Sequence, residues 1–277
     1  MMKKVTLMGA GGKMGMRTTA NLKDLPEYDM SYIEINPQGV ERLKNMGIEV
    51  SDAKKALADT DVVILAVPDV AIKKVAGDVV PQLKSGAMLV TLDPAAPCAG
   101  HLPERKDITY FATHPSHPSV FNWEPDENDH YDYFGGIAAR QSIVCALIQG
   151  PEEDYAVGEQ LARAMYAPVT RSHRITIEQM GILEPALSET FAAAIVTILK
   201  EGVDTVVAKG VPKEAAYDFF LGHINIELAL LFNQLPGGVF SDAAQKAIQY
   251  GIPRIFKDDW KDIFEWENVM DQIRAIT

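Results

Sequence analysis

The chain has 277 residues, 47% apolar and 23% charged, with a formal net charge of −12, which suits an ordinary soluble protein of one large or two medium domains. The acidic balance argues against nucleic acid or an anionic membrane as a partner. No long apolar run suggests a membrane span, Met1-Met-Lys-Lys leads into a strand without a signal-peptide pattern, and Cys98 and Cys145 fit no metal or redox spacing, so a cytoplasmic location is expected.

The first element is a short apolar run, Val5 to Met8, that enters a glycine cluster and then an amphipathic stretch with Met16, Ala20 and Leu22. That is strand, tight turn and helix, the arrangement that sets backbone N–H groups and a helix dipole under a pyrophosphate. Met14 stands where a strict G-x-G-x-x-G would have its third glycine, so the match is Gly9-x-x-Gly12-x-x-Gly15. Gly9, Gly12, Lys13 and Met14 are the expected cofactor contacts. Glu34 closes the second apolar stretch, about 20 residues on, where a carboxylate accepts both adenosine ribose hydroxyls and repels a 2′-phosphate. NAD is therefore expected rather than NADP; the plainer reading is a solvated carboxylate at a strand end.

Further strands are predicted at Asp61–Val67, Ala87–Asp93, Ile108–Thr113 and Ser142–Ile148, with helices between them and a helix over Pro151–Met165. Continuous apolar strands separated by helices predict a Rossmann-type, doubly wound parallel sheet in an α/β domain. Ligands of such sheets bind beyond the C-terminal strand ends. Pro68 and Asp69, Asp93, and His114 with His117, taken as the ends of the fourth, fifth and sixth strands, are placed there, with Pro68, Asp69 and Asp93 as further expected cofactor contacts. Two imidazoles at one strand terminus favour a ligand or acid/base role. The polar, aromatic stretch from Val120 to Gln141 is long enough for a substrate lid, and equally suits a surface loop.

Strand signal stops near Ser172. One long helix is predicted over Thr176–Lys209, kinked or broken at Pro185, and another over Lys213–Asn233 that is apolar nearly all round, as in a bundle core or a subunit seam. The expected layout is a nucleotide-binding domain, 1–171, and an all-helical substrate and dimerisation domain, 172–277, with a homodimer as the assembly. Arg171, His173 and Arg174 at the junction suit a substrate carboxylate or plain solvation. His223 and Glu227, one turn apart, suit a structural pair or the cleft.

The segments Gly9–Gly15, Leu92–Pro97, His114–Pro118, Gln149–Glu153, Ala167–His173 and Ile182–Glu189 together resemble the D-apionate oxidoisomerases, within the group that shares a 6-phosphogluconate-dehydrogenase-like domain arrangement. The likeness spans nearly the whole chain. It implies an NAD-dependent oxidoreductase that oxidises a branched sugar acid and rearranges its carbon skeleton to 3-oxo-isoapionate. It also implies that His114 and Glu184 hold a divalent metal such as zinc, with His117 a neighbour; His114, His117 and Glu184 are then the expected catalytic set. From the residues alone, His114 reads as an acid/base histidine as readily as a metal ligand. Prephenate dehydrogenases share a strand followed by His-Pro, but here His117-Pro118 replaces their usual continuation, which makes that family, or another hydroxyacid dehydrogenase, the alternative. A non-catalytic NAD sensor on the same fold is the alternative from a different class.

Overall fold

The computed structural model describes residues 2–277. Its seven strands are β1 (Lys3–Met8), β2 (Tyr28–Ile33), β3 (Val62–Leu65), β4 (Met88–Thr91), β5 (Thr109–Pro115), β6 (Gln141–Gln149) and β7 (Val169–Arg174). They form one sheet in the order β2-β1-β3-β4-β5-β6-β7. Every neighbouring pair is parallel except β5 and β6, where Thr113 faces Cys145 across an antiparallel ladder. A parallel partner would need a full crossover connection. Residues 116–140 supply only a single helical turn at Glu127–Tyr131, so the chain returns directly. The sheet is parallel-dominated rather than wholly parallel.

Alternation along the strands builds two cores. Val62 and Ile64 join Val5, Leu7, Phe111 and Ile143 on one face, together with Leu22 of α1 (Lys13–Leu22) and Leu161 of α6 (Asp154–Met165). Val63 and Leu65 join Leu89 on the other, under Leu57 of α3 (Ala53–Asp59) and Ile72 of α4 (Asp69–Val79). This is the doubly wound arrangement: period-two side chains feed helices on both sides. Between α2 (Pro37–Asn45) and α3 no strand forms, so the termini at Ala66–Asp69, Asp93 and His114 follow the third, fourth and fifth strands, one fewer than expected.

Two compact units divide the chain: residues up to Pro185 with Met270–Thr277, and Ala186–Val269. By compactness the chain divides at 185/186. The reason is β7, an edge strand whose Thr-Arg-Ser-His-Arg run has no apolar alternation to betray it; it pairs in parallel with β6 and keeps the chain in the first unit.

The predicted long helix begins at a capping box between Thr176 and Gln179. It runs through α7 (Ile177–Gly181), a widened π-type stretch (Ile182–Ala192) and α8 (Ala193–Ala208). Pro185 lies in the widened stretch and, lacking an N–H, cannot complete an ordinary helical turn. This helix, Ile177–Ala208, is by length and composition apolar enough to cross a membrane, which corrects the expectation of no such run. Scattered carboxylates had disguised the apolar window.

In the second unit Phe191 stacks on Trp260, ring centroids 5.3 Å apart, beside Phe264. The helix α9 (Lys213–Leu231) is not buried within the chain. Phe219 is 69% exposed, Leu221 61% and Leu231 64%.

Candidate active site

Gly9 opens the turn after β1 with φ +73°, a left-handed conformation that an L side chain rarely takes. A Cβ there would lie 2.4 Å from the Ala66 carbonyl oxygen, so the close passage of β1 and β3 requires glycine. Gly12 donates its N–H to the Gly9 carbonyl at 3.0 Å. The first turn of α1 leaves the N–H groups of Lys13 and Met14 without an intrahelical acceptor, at the positive end of the helix dipole. Gly9, Gly12, Glu34 and Pro68 line one cavity of about 370 Å³, with apolar walls from Ile33, Val67 and Val75.

Glu34 is more committed than its place in the sequence suggests. One oxygen accepts the Gly11 N–H at 2.9 Å, and the other accepts those of Ile35 and Asn36, each at 2.8 Å. Of the roughly four lone-pair sites on a carboxylate, about one stays available, enough for one ribose hydroxyl rather than the two expected. The turn, the slot and the carboxylate fit a dinucleotide.

A second cavity, about 430 Å³, is lined by Gly12, Lys13, Met14, Pro68 and Asp69 on one side and by Asp93, His114, His117, Phe134 and Glu184 on the other. His114 ends β5. Its Nδ1 lies 2.8 Å from the Leu92 carbonyl oxygen, an atom that only accepts, so Nδ1 carries the proton and Nε2 the lone pair. Nε2 is 3.4 Å from Oε2 of Glu184, and the two side chains are 20% and 16% exposed. Oδ2 of Asp93 lies 3.9 Å from Nδ1 of His114, while Oδ1 of Asp93 accepts the Ala95 N–H at 2.7 Å.

One ligand atom from each of Asp93, His114 and Glu184 lies within 4.8 Å of the others. Burial pushes the Asp93 carboxyl up to about 7, and the neighbouring carboxylates of Asp69 and Glu184 add to the rise. Burial also raises Asp69. One imidazole beside two crowded carboxylates is a donor set that a divalent cation satisfies. Asp93 was assigned to the cofactor in sequence, and the structure sets it beside His114 and Glu184. Glu184 itself belongs to the first unit, not to a separate helical domain as the sequence suggested.

His117 adopts φ +59° without being glycine. Its Nδ1 bonds the Phe134 carbonyl oxygen at 2.8 Å, and its ring stands edge-on to His114, centroids 6.2 Å apart, and to Phe134. The guanidinium of Arg17 lies 4.7 Å from the Phe134 ring centre. The long loop is tied down. The nearly buried Glu124 receives the Nε–H of Arg140 at 2.9 Å, Asp132 accepts the N–H groups of Ile137 and Ala138 at 3.0 Å, and Asn21 holds the Gly136 carbonyl. These anchors make it a fixed wall more than a lid.

Two other candidates fall outside the site. Arg174 pairs with Glu152 and lies over the Tyr155 ring. His223 stacks on Phe219 and bonds its carbonyl at 2.7 Å, and no ion pair joins it to Glu227 among the described residues.

Residues 122–277 match the family model described as phosphogluconate dehydrogenase (decarboxylating) C-term, and residues 1–111 match acetohydroxy acid isomeroreductase, NADPH-binding domain. The chain is 51% identical to a D-apionate oxidoisomerase of Cupriavidus necator with all of both chains covered, and 39% identical to one of Blautia hydrogenotrophica, covering 98% of this chain and 95% of that one. Among solved structures, a semialdehyde dehydrogenase NAD-binding protein from Cupriavidus necator, in complex with calcium and NAD, superposes with a TM-score of 0.98 at 51% identity, covering 100% of each chain. An NADH-preferring ketol-acid reductoisomerase from an uncultured archaeon shares the fold, with a TM-score of 0.70 at 21% identity, covering 99% of this chain and 83% of that one.

Proposed function

The chain belongs to the D-apionate oxidoisomerase family, and we propose that it oxidises D-apionate with NAD and rearranges the carbon skeleton to 3-oxo-isoapionate. The observation that carries this reading is one cavity shared by the first turn of α1 and by the Asp93, His114 and Glu184 cluster. An anionic sugar acid is repelled by the carboxylates of Asp93 and Glu184, and a cation among them would receive it. When bound to His114 and Glu184, with Asp93 as a third ligand, a divalent cation supplies Lewis acidity to the oxygens of a 2,3-dihydroxy acid during hydride loss and the ketol shift.

The chain's own groups do the rest. Lys13 and Met14 present N–H groups to the pyrophosphate, and Glu34 takes a ribose hydroxyl. Leu92 holds His114 in the tautomer whose Nε2 is basic. His117, with Nδ1 turned to the Phe134 carbonyl, keeps Nε2 as the acceptor for a substrate hydroxyl proton. Phe134 and the anchored loop form the wall on that side.

The exposed apolar residues of α8 and α9 support a homodimer joined through the helical unit, and its test is light scattering at micromolar concentration. A mass near twice 30.4 kDa is expected; a single chain refutes it. The same face accounts for the apolar helix without a membrane, and two free cysteines suit a reducing cytoplasm.

Purified protein, NAD and D-apionate, with and without chelator, are expected to give metal-dependent NADH absorbance and a rearranged product by NMR. His114→Ala and Glu184→Gln should lower turnover by orders of magnitude and leave NADH affinity within about twofold, because neither lies on the pyrophosphate turn. NADH binding without oxidation of D-apionate would overturn the enzymatic reading in favour of a sensor.

A further inference from the structure

Arg42 lines the same cavity as Glu34 but has no place in the chemistry above. Its Nε donates to the Gly11 carbonyl at 2.8 Å, which fixes the guanidinium plane. The Nη1 and Nη2 groups make no hydrogen bond to any described residue, and no ion pair joins Arg42 to Glu34. Gly11 is thus clamped at both ends, its N–H by an acid and its carbonyl by a base that do not neutralise each other. The clamp is tight: a Cβ on Gly11 would lie 2.4 Å from the Gly39 carbonyl oxygen, and one on Gly39 would lie 2.6 Å from Cδ of Glu34.

We propose that Arg42 is a dormant 2′-phosphate receptor, and that Glu34 alone keeps it from admitting NADP. The proposal rests on the dinucleotide reading of this cavity. A guanidinium with four unused N–H donors, anchored beside the ribose edge, has the fork geometry that phosphate prefers. The Glu34 carboxylate stands at the same edge, where its charge repels a phosphate and its remaining lone pair selects a hydroxyl. Removing that charge leaves the cation in place at the cavity wall.

The test is direct binding, followed by the fluorescence of NADH and NADPH without substrate. Glu34→Gln removes the charge at unchanged length and keeps one oxygen, enough for the Ile35 and Asn36 N–H groups at the loss of the bond to Gly11. Wild type is expected to prefer NADH by about tenfold or more, and E34Q to tighten NADPH by about tenfold. Adding R42M to E34Q should return NADPH to its wild-type affinity while NADH changes by less than about threefold, and R42K should retain part of the gain. The gain should shrink as salt is raised. NADPH binding equally well to E34Q and E34Q/R42M would overturn the proposal, as would E34Q that folds, binds NADH and gains nothing for NADPH. Wild type that binds no NADH would instead defeat the dinucleotide reading itself.

Discussion

Gly9→Ala puts the pyrophosphate turn to a stability test. A left-handed conformation costs an L residue about 1–2 kcal/mol. The new methyl would also lie 2.4 Å from the Ala66 oxygen and 3.0 Å from its carbonyl carbon. Relief by separating the strands is opposed from both sides: Ala66 donates to the Met8 carbonyl at 3.0 Å, and Gly9 donates to the Ile33 carbonyl at 2.9 Å. Overpacking of this kind adds about 1–3 kcal/mol, for a total of about 2–5 kcal/mol. At about 2–4 °C per kcal/mol, thermal melting should fall by roughly 4–20 °C. NADH affinity should fall with it, since the displaced turn carries Lys13 and Met14. Gly77→Ala is the control. Gly77 lies inside α4, with nothing within 4 Å of a built Cβ, so this change should stabilise by about 1 kcal/mol. A G9A protein that melts within about 2 °C of wild type and binds NADH normally would refute the reasoning.

Asp93→Asn reads the crowding of the carboxylates through pH. The folded pKa, raised from 3.8 to about 7, means that the folded chain keeps a proton that the unfolded chain releases. Stability of chelator-treated wild type should therefore fall as pH rises from about 4 to about 7, by at most about 4 kcal/mol. D93N should abolish that slope, matching wild type near pH 4 and exceeding it at pH 8 in thermal melts; equal slopes in the two proteins would count against the assignment. Gly158→Ala would set a Cβ 2.6 Å from the ring of the fully buried Phe111. It should lower stability by about 1–3 kcal/mol in denaturant titrations without changing NADH affinity, and a neutral result would mean the ring has room to move.

What the sequence revealed was what is local. Gly9, the apolar runs at β3 and β4, and the strand-end position of His114 each follow from a few neighbouring residues, because turn conformation and strand burial are short-range properties. The antiparallel return of β6 was hidden, since Ser142–Ile148 reads the same whichever way its partner runs. β7 was hidden for the opposite reason: an edge strand buries little, and Arg171, Ser172 and His173 show no alternation to detect. The union of His114 with Glu184 came from a family likeness, because the 69 intervening residues carry no signal of where a helix returns. Asp93 shows how a site can be half legible. Its place beyond a strand end was plain, but a carboxylate there serves cofactor or cation equally, and only proximity separates the two. Once Nδ1 of His114 is committed to Leu92, its Nε2 faces Glu184, while Asp93 stands beside Nδ1. Under the proposed function a divalent cation suits that set better than a proton, because a proton shared among the carboxylates leaves no positive charge to receive an anionic sugar acid.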